Sequence, residues 1–322
     1  MVEAILVSIC VPAYKRIDFL QRLLDSIFVQ TFRNFEVVVT DDSPDDSVRN
    51  LCDQYQNKFL LRYYRNAHTL GTPANWNEAI RKSSGEWVKL MHDDDWFADE
   101  NSLQYFIETI DKNNSLSFVF SAYQNVSLGN GQSKKIFPEP FRYKMLGRNP
   151  ATLLSANCIG PPSVVLHKKN DLILYDTRLK WLVDIDFYMR YLSATRAVYI
   201  PAVLVNIGIS GQQVTKDAFG NRQVEVPENF LLLEKTGTGI LKNILVFDAW
   251  WRLIRNLRIR NKDDIRQSGY EGPIPSRIIA MIQCQHKISM TLLKIGLISK
   301  MCMFICFLFA NETRNKQNNT GA

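Results

Sequence analysis

Along the first two thirds of the chain, short runs of apolar and β-branched residues alternate with stretches in which apolar residues recur every three or four positions. The first pattern predicts buried strands and the second amphipathic helices. Ile5 to Val11 predicts a strand closed by the turn Pro12-Ala-Tyr-Lys-Arg16. Leu20, Leu23, Leu24, Ile27 and Phe28 then place a helix over Asp18 to Gln30. A strand from Phe35 to Thr40, a helix from Ser47 to Tyr55, a strand from Leu60 to Arg65, a helix from Ala74 to Lys82 and a strand from Trp87 to Met91 continue the alternation. Gly71-Thr-Pro73 and Ser83-Ser-Gly85 break the chain between them. This β-α-β-α-β-α-β order implies an α/β fold, a parallel sheet with helices on both faces. Right-handed crossovers bring the carboxyl ends of the strands to one edge, and with them Tyr14, Asp41 and Asp42, and Asp93 to Asp95.

The pattern then loosens. A helix over Leu103 to Ile110 and a strand over Ser117 to Ala122 are followed by a hairpin or surface loop, Asn125 to Phe141. Asn157-Cys-Ile-Gly-Pro-Pro-Ser163 is a tight loop into a strand, Val164 to His167. Trp181-Leu-Val-Asp-Ile-Asp-Phe-Tyr-Met-Arg190 opens a helix that ends near Ser193. Ala197 to Ile207 predicts a strand interrupted by Pro201, and residues 208–222 a mobile segment. From Pro227 long helical stretches take over. Ile278 to Ala310 is almost wholly apolar, interrupted by Lys294 and Lys300, and Gln283, Lys287, Thr291 and Lys294 would share one face of a single helix. The division expected is a domain over 1–222, a basic helical extension over 223–310 and a disordered polar tail over 311–322.

Charge sharpens this division. The chain has 322 residues and a formal net charge of +7. Between Asp248 and Lys300 ten basic residues face four acidic ones, and the first 247 residues are close to neutral. A basic segment beside apolar stretches suggests an anionic membrane surface or an anionic ligand. No recognised nucleic-acid-binding motif accompanies it, so nucleic acid is not an expected partner. Met301 to Ala310, the longest charge-free end, is too short to span a bilayer, and an interfacial helix is the alternative to one packed on the first domain. The six cysteines form no CxxC pair and the four histidines no zinc spacing, which suggests free thiols in a reducing compartment. Ala4 to Ala13 lacks a basic leader and contains Pro12, so it is expected to be the first strand, not a signal peptide.

The candidate chemistry lies in Lys89-Leu-Met-His-Asp-Asp-Asp-Trp96. Three adjacent carboxylates repel one another. At the end of a parallel strand a hard divalent cation can hold them together, with substrate phosphates completing its shell. An acidic turn is the plainer alternative. Likewise Asp41 and Asp42, or Asp184, can be helix caps, Asn77 a surface helix residue, and Trp96 simple packing.

Several segments, in order, resemble one family: Val7 to Arg16, Phe35 to Asp42, Asn75-Trp-Asn-Glu-Ala-Ile80, Ser84 to Trp96, and Asp184-Ile-Asp-Phe-Tyr-Met-Arg190. Together they resemble the family 2 glycosyltransferases of bacterial polysaccharide biosynthesis, inverting enzymes of the GT-A fold that use nucleotide-sugar donors. The match covers roughly 5–210. The resemblance implies that Pro12, Ala13 and Tyr14 form a shelf for the nucleotide base, that Asp41 or Asp42 binds the base, and that Asn77 lies in the donor pocket. It makes Asp93 and Asp94 contacts of the ribose or donor sugar, and Asp95, with Asp93, ligands of Mg²⁺ or Mn²⁺. Asp184 becomes the catalytic base with Asp186 as its alternative, and His92, Trp96, Asp186 and Arg190 supporting or acceptor-side residues. His92 stands where many members have aspartate, and Val183 where many have glutamate.

A divalent cation neutralises a departing diphosphate, and a carboxylate can deprotonate an attacking hydroxyl. The implied enzyme uses a nucleotide-diphosphate sugar, a UDP-sugar before others, and a glycan or lipid-linked saccharide acceptor. It would work as a peripheral protein at the cytoplasmic face of the cell membrane. The alternatives are a sugar-phosphate nucleotidyltransferase, against which the glycine-free turn after the first strand counts, and an inactive sugar-binding subunit.

Overall fold

Val7, Ile9, Cys10 and Val11 are wholly buried in β1 (Val7–Ala13), as are Val37, Val38 and Val39 in β2 (Phe35–Asp41). Strands buried on both faces read as continuous apolar runs, and these two pair in parallel, Val7 opposite Phe35 and Ala13 opposite Asp41. The crossover between them is α1 (Ile17–Phe28), which turns Leu20, Leu23, Leu24 and Ile27 to the core. Each such side chain contributes roughly 1.5–3 kcal/mol on burial. Beyond β2 lies β3 (Leu61–Arg65), reached through α2 (Ser47–Asp53). On the other side of β1, α3 (Ala74–Lys82) leads into β4 (Trp87–Leu90), with Cys10 opposite Leu90. These four strands are parallel, so their carboxyl ends share one edge.

The computed structural model describes residues 4–113, 115–210 and 218–318, with backbone alone over 311–318. Two compact units divide the chain, Met1–Pro150 with Asn157–Gln213, and Ala151–Ala156 with Val214–Ala322.

In the first unit the sheet runs β3-β2-β1-β4-β8-β6-β9-β5, with β7 on β6. Its second half is mixed. β5 (Trp96–Phe97) and α4 (Ser102–Asp111) precede β6 (Phe118–Ser127), which turns back as a hairpin into β7 (Ser133–Ile136). After α5 (Pro140–Leu146), β8 (Val165–Lys168) runs antiparallel to both β4 and β6. Then α6 (Val183–Leu192) leads to β9 (Val198–Ile209), parallel to β6. Pro201 does not interrupt β9. It lies in a bulge between Ile200, opposite Ser121, and Val203, opposite Ala122, where its missing N–H costs no ladder bond.

In the second unit helices cover Arg222–Thr236, Ile244–Asn256, Lys262–Gln267, Ser276–His286, Met290–Lys294 and Gly296–Asn318. Phe230 stacks on Tyr270 at 4.0 Å and meets Trp250 edge-on, while Trp251 Nε1 donates to Ser299 Oγ. Three expectations change here. The composition break at 222/223 falls inside a helix that belongs wholly to this unit. Ile278 to Ala310 is not one helix: the chain stops at His286 and restarts where Ser289 Oγ accepts the Leu292 N–H, so Gln283, Lys287, Thr291 and Lys294 share no continuous face. The last helix runs on through 311–318, where a disordered tail was expected; 319–322, and residues 211–217 of the expected mobile segment, lie outside the described residues.

Candidate active site

The edge formed by the ends of β1, β2 and β4 gathers the first set of residues. Pro12 and Ala13 close β1, and Tyr14 follows with 47% of its surface exposed. Lys15 takes the left-handed conformation, φ 64°, and its N–H donates to Ser43 Oγ, so the turn after β1 is pinned to the turn after β2. Asp41 is buried and accepts from Ser43 N–H and from the Tyr63 hydroxyl at 2.7 Å. Asp42 accepts from the Asn66 amide and from the N–H groups of Leu70 and Gly71. Both acids therefore hold loops at this edge.

Beyond β4 the acids pack below the surface: Asp93 is 3% and Asp95 2% exposed. Arg16 reaches into them. Its guanidinium binds both oxygens of Asp93 and donates to Asp94 Oδ2 at 3.0 Å, and Tyr14 N–H also donates to Asp93. Burial pushes Asp93 up to about 7 despite Arg16, with Asp94 adding to the rise. Asp95 is held well above the usual carboxylate range, by burial first and then by Asp94 and Asp93. It accepts from Gly208 N–H at 3.1 Å and from the Ser163 hydroxyl. Gly208 is required by this approach, because a Cβ there would stand 2.2 Å from the Asp94 carbonyl oxygen. Lys89, beneath, donates to the carbonyls of Ser163 and Val165 and is pushed down to about 7 by burial.

His92 leans on Trp76, ring centroids 4.7 Å apart, and its N–H donates to Ser163 Oγ. Burial pushes it down to about 4, so it is neutral at pH 7. The ligand atoms of His92, Asp94 and Asp95 all lie within 4.8 Å of one another. Among the described residues His92 Nε2 is buried without a hydrogen-bond partner, as is His167 Nε2 outside this loop. A neutral imidazole, three crowded carboxylates and one arginine fit a divalent cation by charge and by donor type.

Asp184 lies in the first turn of α6 and is partly buried. Leu182, not Asp184, is the N-cap, and no side chain caps the helix. Asp184 accepts from Ile185 N–H and from the Asn157 amide at 2.8 Å. Burial pushes it up to about 6 against those hydrogen bonds. Its charge reaches Tyr123, Tyr175 and Tyr188, whose phenols are raised by burial first and then by Asp184.

Asp186 is different. It is fully buried and bound by Arg190, Nε to Oδ2 at 2.8 Å, while Arg190 also donates to the Leu174 carbonyl. That ion pair answers the Asp186 charge, and Asp184 has no such pair among the described residues. Asn77 faces a loop. Its amide bonds the Tyr175 backbone in both directions, at 2.8 and 2.9 Å, and so clamps that loop. Trp96 lies under the Arg22 guanidinium at 4.6 Å and pairs in the sheet with Asn206.

Two features tie Asp184 to the acid loop. Asn157, at one end of the loop to Ser163, binds Asp184, and Ser163, at the other, binds His92 N–H and Asp95. Six residues span at most roughly 20 Å when fully extended, and Asn157 shortens this loop by bonding Ile159, Gly160 N–H and the Gly160 carbonyl. An aromatic row closes the same gap, with Tyr175 edge-on to Trp76 at 5.2 Å and Trp76 against His92. Sequence reasoning missed Arg16, Trp76, Asn157 and Tyr175 as members of the site. Arg16 carried a signal, a cation just past the first strand on the edge where the acids emerge. The others carried none beyond residue type.

Comparison with known proteins bears on the family and the fold. The family model described as glycosyl transferase family 2 matches residues 8–171. An uncharacterised glycosyltransferase of Rickettsia typhi is 24% identical over 220 residues, 66% of this chain and 67% of its own. The Escherichia coli UDP-Glc:alpha-D-GlcNAc-diphosphoundecaprenol beta-1,3-glucosyltransferase WfgD is 26% identical over 54% of this chain and 70% of its own. Among solved structures, S. aureus TarS 1–349 in complex with UDP-GlcNAc superposes with a TM-score of 0.55 at 18% identity, over 97% of this chain and 92% of that one. The mannosyltransferase PcManGT from Pyrobaculum calidifontis, in complex with GDP-Man and Mn²⁺, gives 0.56 at 16% identity, over 98% and 88%. These neighbours show the fold, the GT-A type of α/β sheet.

Proposed function

The chain belongs to glycosyl transferase family 2, and from that premise we propose that it transfers a sugar with inversion from a UDP-sugar to a hydroxyl of a lipid-linked or growing saccharide. That it is a glycosyltransferase follows from the family; donor, acceptor, stereochemistry and residue roles are the proposal. A UDP donor is supported by the UDP-GlcNAc complex of TarS, and a lipid diphosphate acceptor in polysaccharide biosynthesis by the name of WfgD.

In this reading Tyr14 and the ends of β1 and β2 receive the nucleotide. Asp95, with its neighbours on the loop after β4, holds Mg²⁺ or Mn²⁺, which when bound offsets the charge of the leaving diphosphate. Asp184 accepts the proton of the acceptor hydroxyl as its oxygen bonds to the anomeric carbon and the bond to the diphosphate breaks. A base across from the leaving group makes the displacement in line and inverts the centre. The observation that carries the reading is the loop from Asn157 to Ser163, which touches Asp184 at one end and Asp95 at the other. The test is a panel of nucleotide sugars with a lipid-diphosphate saccharide acceptor and added Mn²⁺, following nucleotide release and the anomeric proton of the product. Release that needs the acceptor and gives an inverted anomer supports it; a retained anomer or pyrophosphate chemistry contradicts it.

We place the enzyme as a peripheral protein at the cytoplasmic membrane face. No helix of the described residues is long and apolar enough to cross a membrane. Helix Gly296–Asn318 leaves Leu297, Met301, Phe304, Ile305 and Leu308 exposed, at helical spacing along one stripe, while Met303 and Cys306 are buried. Lys294 and Lys300 lie exposed nearby. An apolar stripe with flanking lysines suits an anionic bilayer surface. Replacing Leu297 and Phe304 with Ser should abolish co-sedimentation with vesicles containing anionic lipid; unchanged binding would remove the helix from this role.

A further inference from the structure

We propose that His92 is itself a ligand of the cation, together with Asp94 and Asp95, and that this mixed nitrogen and oxygen site selects Mn²⁺ over Mg²⁺. The inference rests on the reading that a divalent cation binds the loop after β4, and it changes which residues hold it.

Asp93 is already taken. Both of its oxygens face the Arg16 guanidinium, and Tyr14 N–H adds a third donor. A ligand there would have to break a forked ion pair. Asp94 gives Arg16 one oxygen, Oδ2, and keeps the other. Asp95 is fixed by Gly208 and Ser163.

His92 completes the set. Its Nδ1 stands 3.7 Å from Asp95 Oδ2, too long for a hydrogen bond. Two ligands of one ion, each bonded at roughly 2.0–2.2 Å, lie about 3–4 Å apart. Nε2 is buried without a partner, and with Nδ1 beyond hydrogen-bond reach of Asp95 neither ring nitrogen is committed to a hydrogen bond among the described residues. The ring is nonetheless held in place, by Trp76 at its face and by Ser163 at its backbone N–H. A ring fixed in orientation with both nitrogens uncommitted, beside two carboxylates within 4.8 Å, is arranged for coordination. Imidazole suits Mn²⁺ and later first-row ions, whereas Mg²⁺ takes oxygen ligands and water.

The experiment is pulsed electron paramagnetic resonance of the full chain with stoichiometric Mn²⁺, alone and with pyrophosphate, beside a titration of free Mn²⁺. We expect directly coordinated ¹⁴N modulation in the native chain and its loss in His92→Ala and His92→Gln. Mn²⁺ affinity should fall on the order of tenfold in those variants. His92→Asp should narrow the preference for Mn²⁺ over Mg²⁺ in competition. Tight Mn²⁺ binding without ¹⁴N modulation, or with modulation that survives both substitutions, overturns His92 as ligand and leaves the cation site standing. Absence of Mn²⁺ binding in the native chain, with pyrophosphate present, overturns the inference and the cation reading together. Because the native chain alone gives a decisive spectrum, a variant that misfolds does not rescue the proposal.

Discussion

The two acidic segments of the first unit differ in how their charge is answered. After β4, Arg16 pairs with Asp93 and Asp94 and leaves Asp95 to hydrogen bonds, and two of the three carboxyls are pushed upward. At the start of α6, Asp186 is paired with Arg190, and Asp184 has no cation among the described residues, only hydrogen bonds from Asn157 and Ile185. In the proposed function the acid paired with arginine is structural, the acids short of cations take one, and the lone raised carboxylate takes a proton. The contrast separates three roles among residues that look alike in the sequence.

The largest expected effect is on the side short of positive charge. Asp95→Ala should lower cation-dependent transfer on the order of 10²–10³-fold, the loss typical of removing one preorganised charge-stabilising group. Steady-state rates across a Mn²⁺ titration check it, and full activity at ordinary Mn²⁺ would erase the distinction between the segments.

The pH dependence comes next. Asp184 must be ionised to accept a proton, and burial holds it up to about 6. At saturating Mn²⁺, kcat/KM should therefore be lost as pH falls through about 6, tenfold for each pH unit below. Asp93, raised to about 7, adds its charge beside the cation site as pH rises through that value, and Asp95, held above the usual carboxylate range, must be ionised to bind a cation. Apparent Mn²⁺ affinity should rise as pH rises through about 7. A flat affinity between pH 6 and 8 would contradict the buried-carboxylate account.

The smallest effect on turnover belongs to the paired acid. Asp186→Asn should leave kcat nearly unchanged and lower stability by about 1 kcal/mol, because Arg190 is partly exposed and keeps its bond to Leu174. A loss of kcat with no change in melting temperature would make Asp186 a participant after all.

The sheet edge was legible in the sequence because each of its strands is a continuous apolar run ending in an acid or a turn. Local period and parallel topology together then fix where Tyr14, Asp42 and Asp95 emerge. Partnerships across the fold were not legible. Nothing in Asn75-Trp-Asn77 says that Asn77 locks onto Tyr175, 98 positions away, while Trp76 turns to His92. Asp184 and Asp186 both sit in the first turn of α6, and here helical spacing did carry the answer: Arg190 lies four residues after Asp186 and six after Asp184. The apolar stretch from Ile278 to Ala310 hid its breaks for the opposite reason. Its composition is uniform, and the stop before Ser289 is signalled by one capping serine.

The most direct test of the central claim, that the acid loop and Asp184 serve one site with separate duties, is a binding and turnover comparison on Asp184→Asn. The account predicts Mn²⁺ and UDP affinities equal to those of the native chain, with transfer slowed on the order of 10²–10⁴-fold. Undiminished transfer, or loss of Mn²⁺ and UDP binding along with it, would contradict the account.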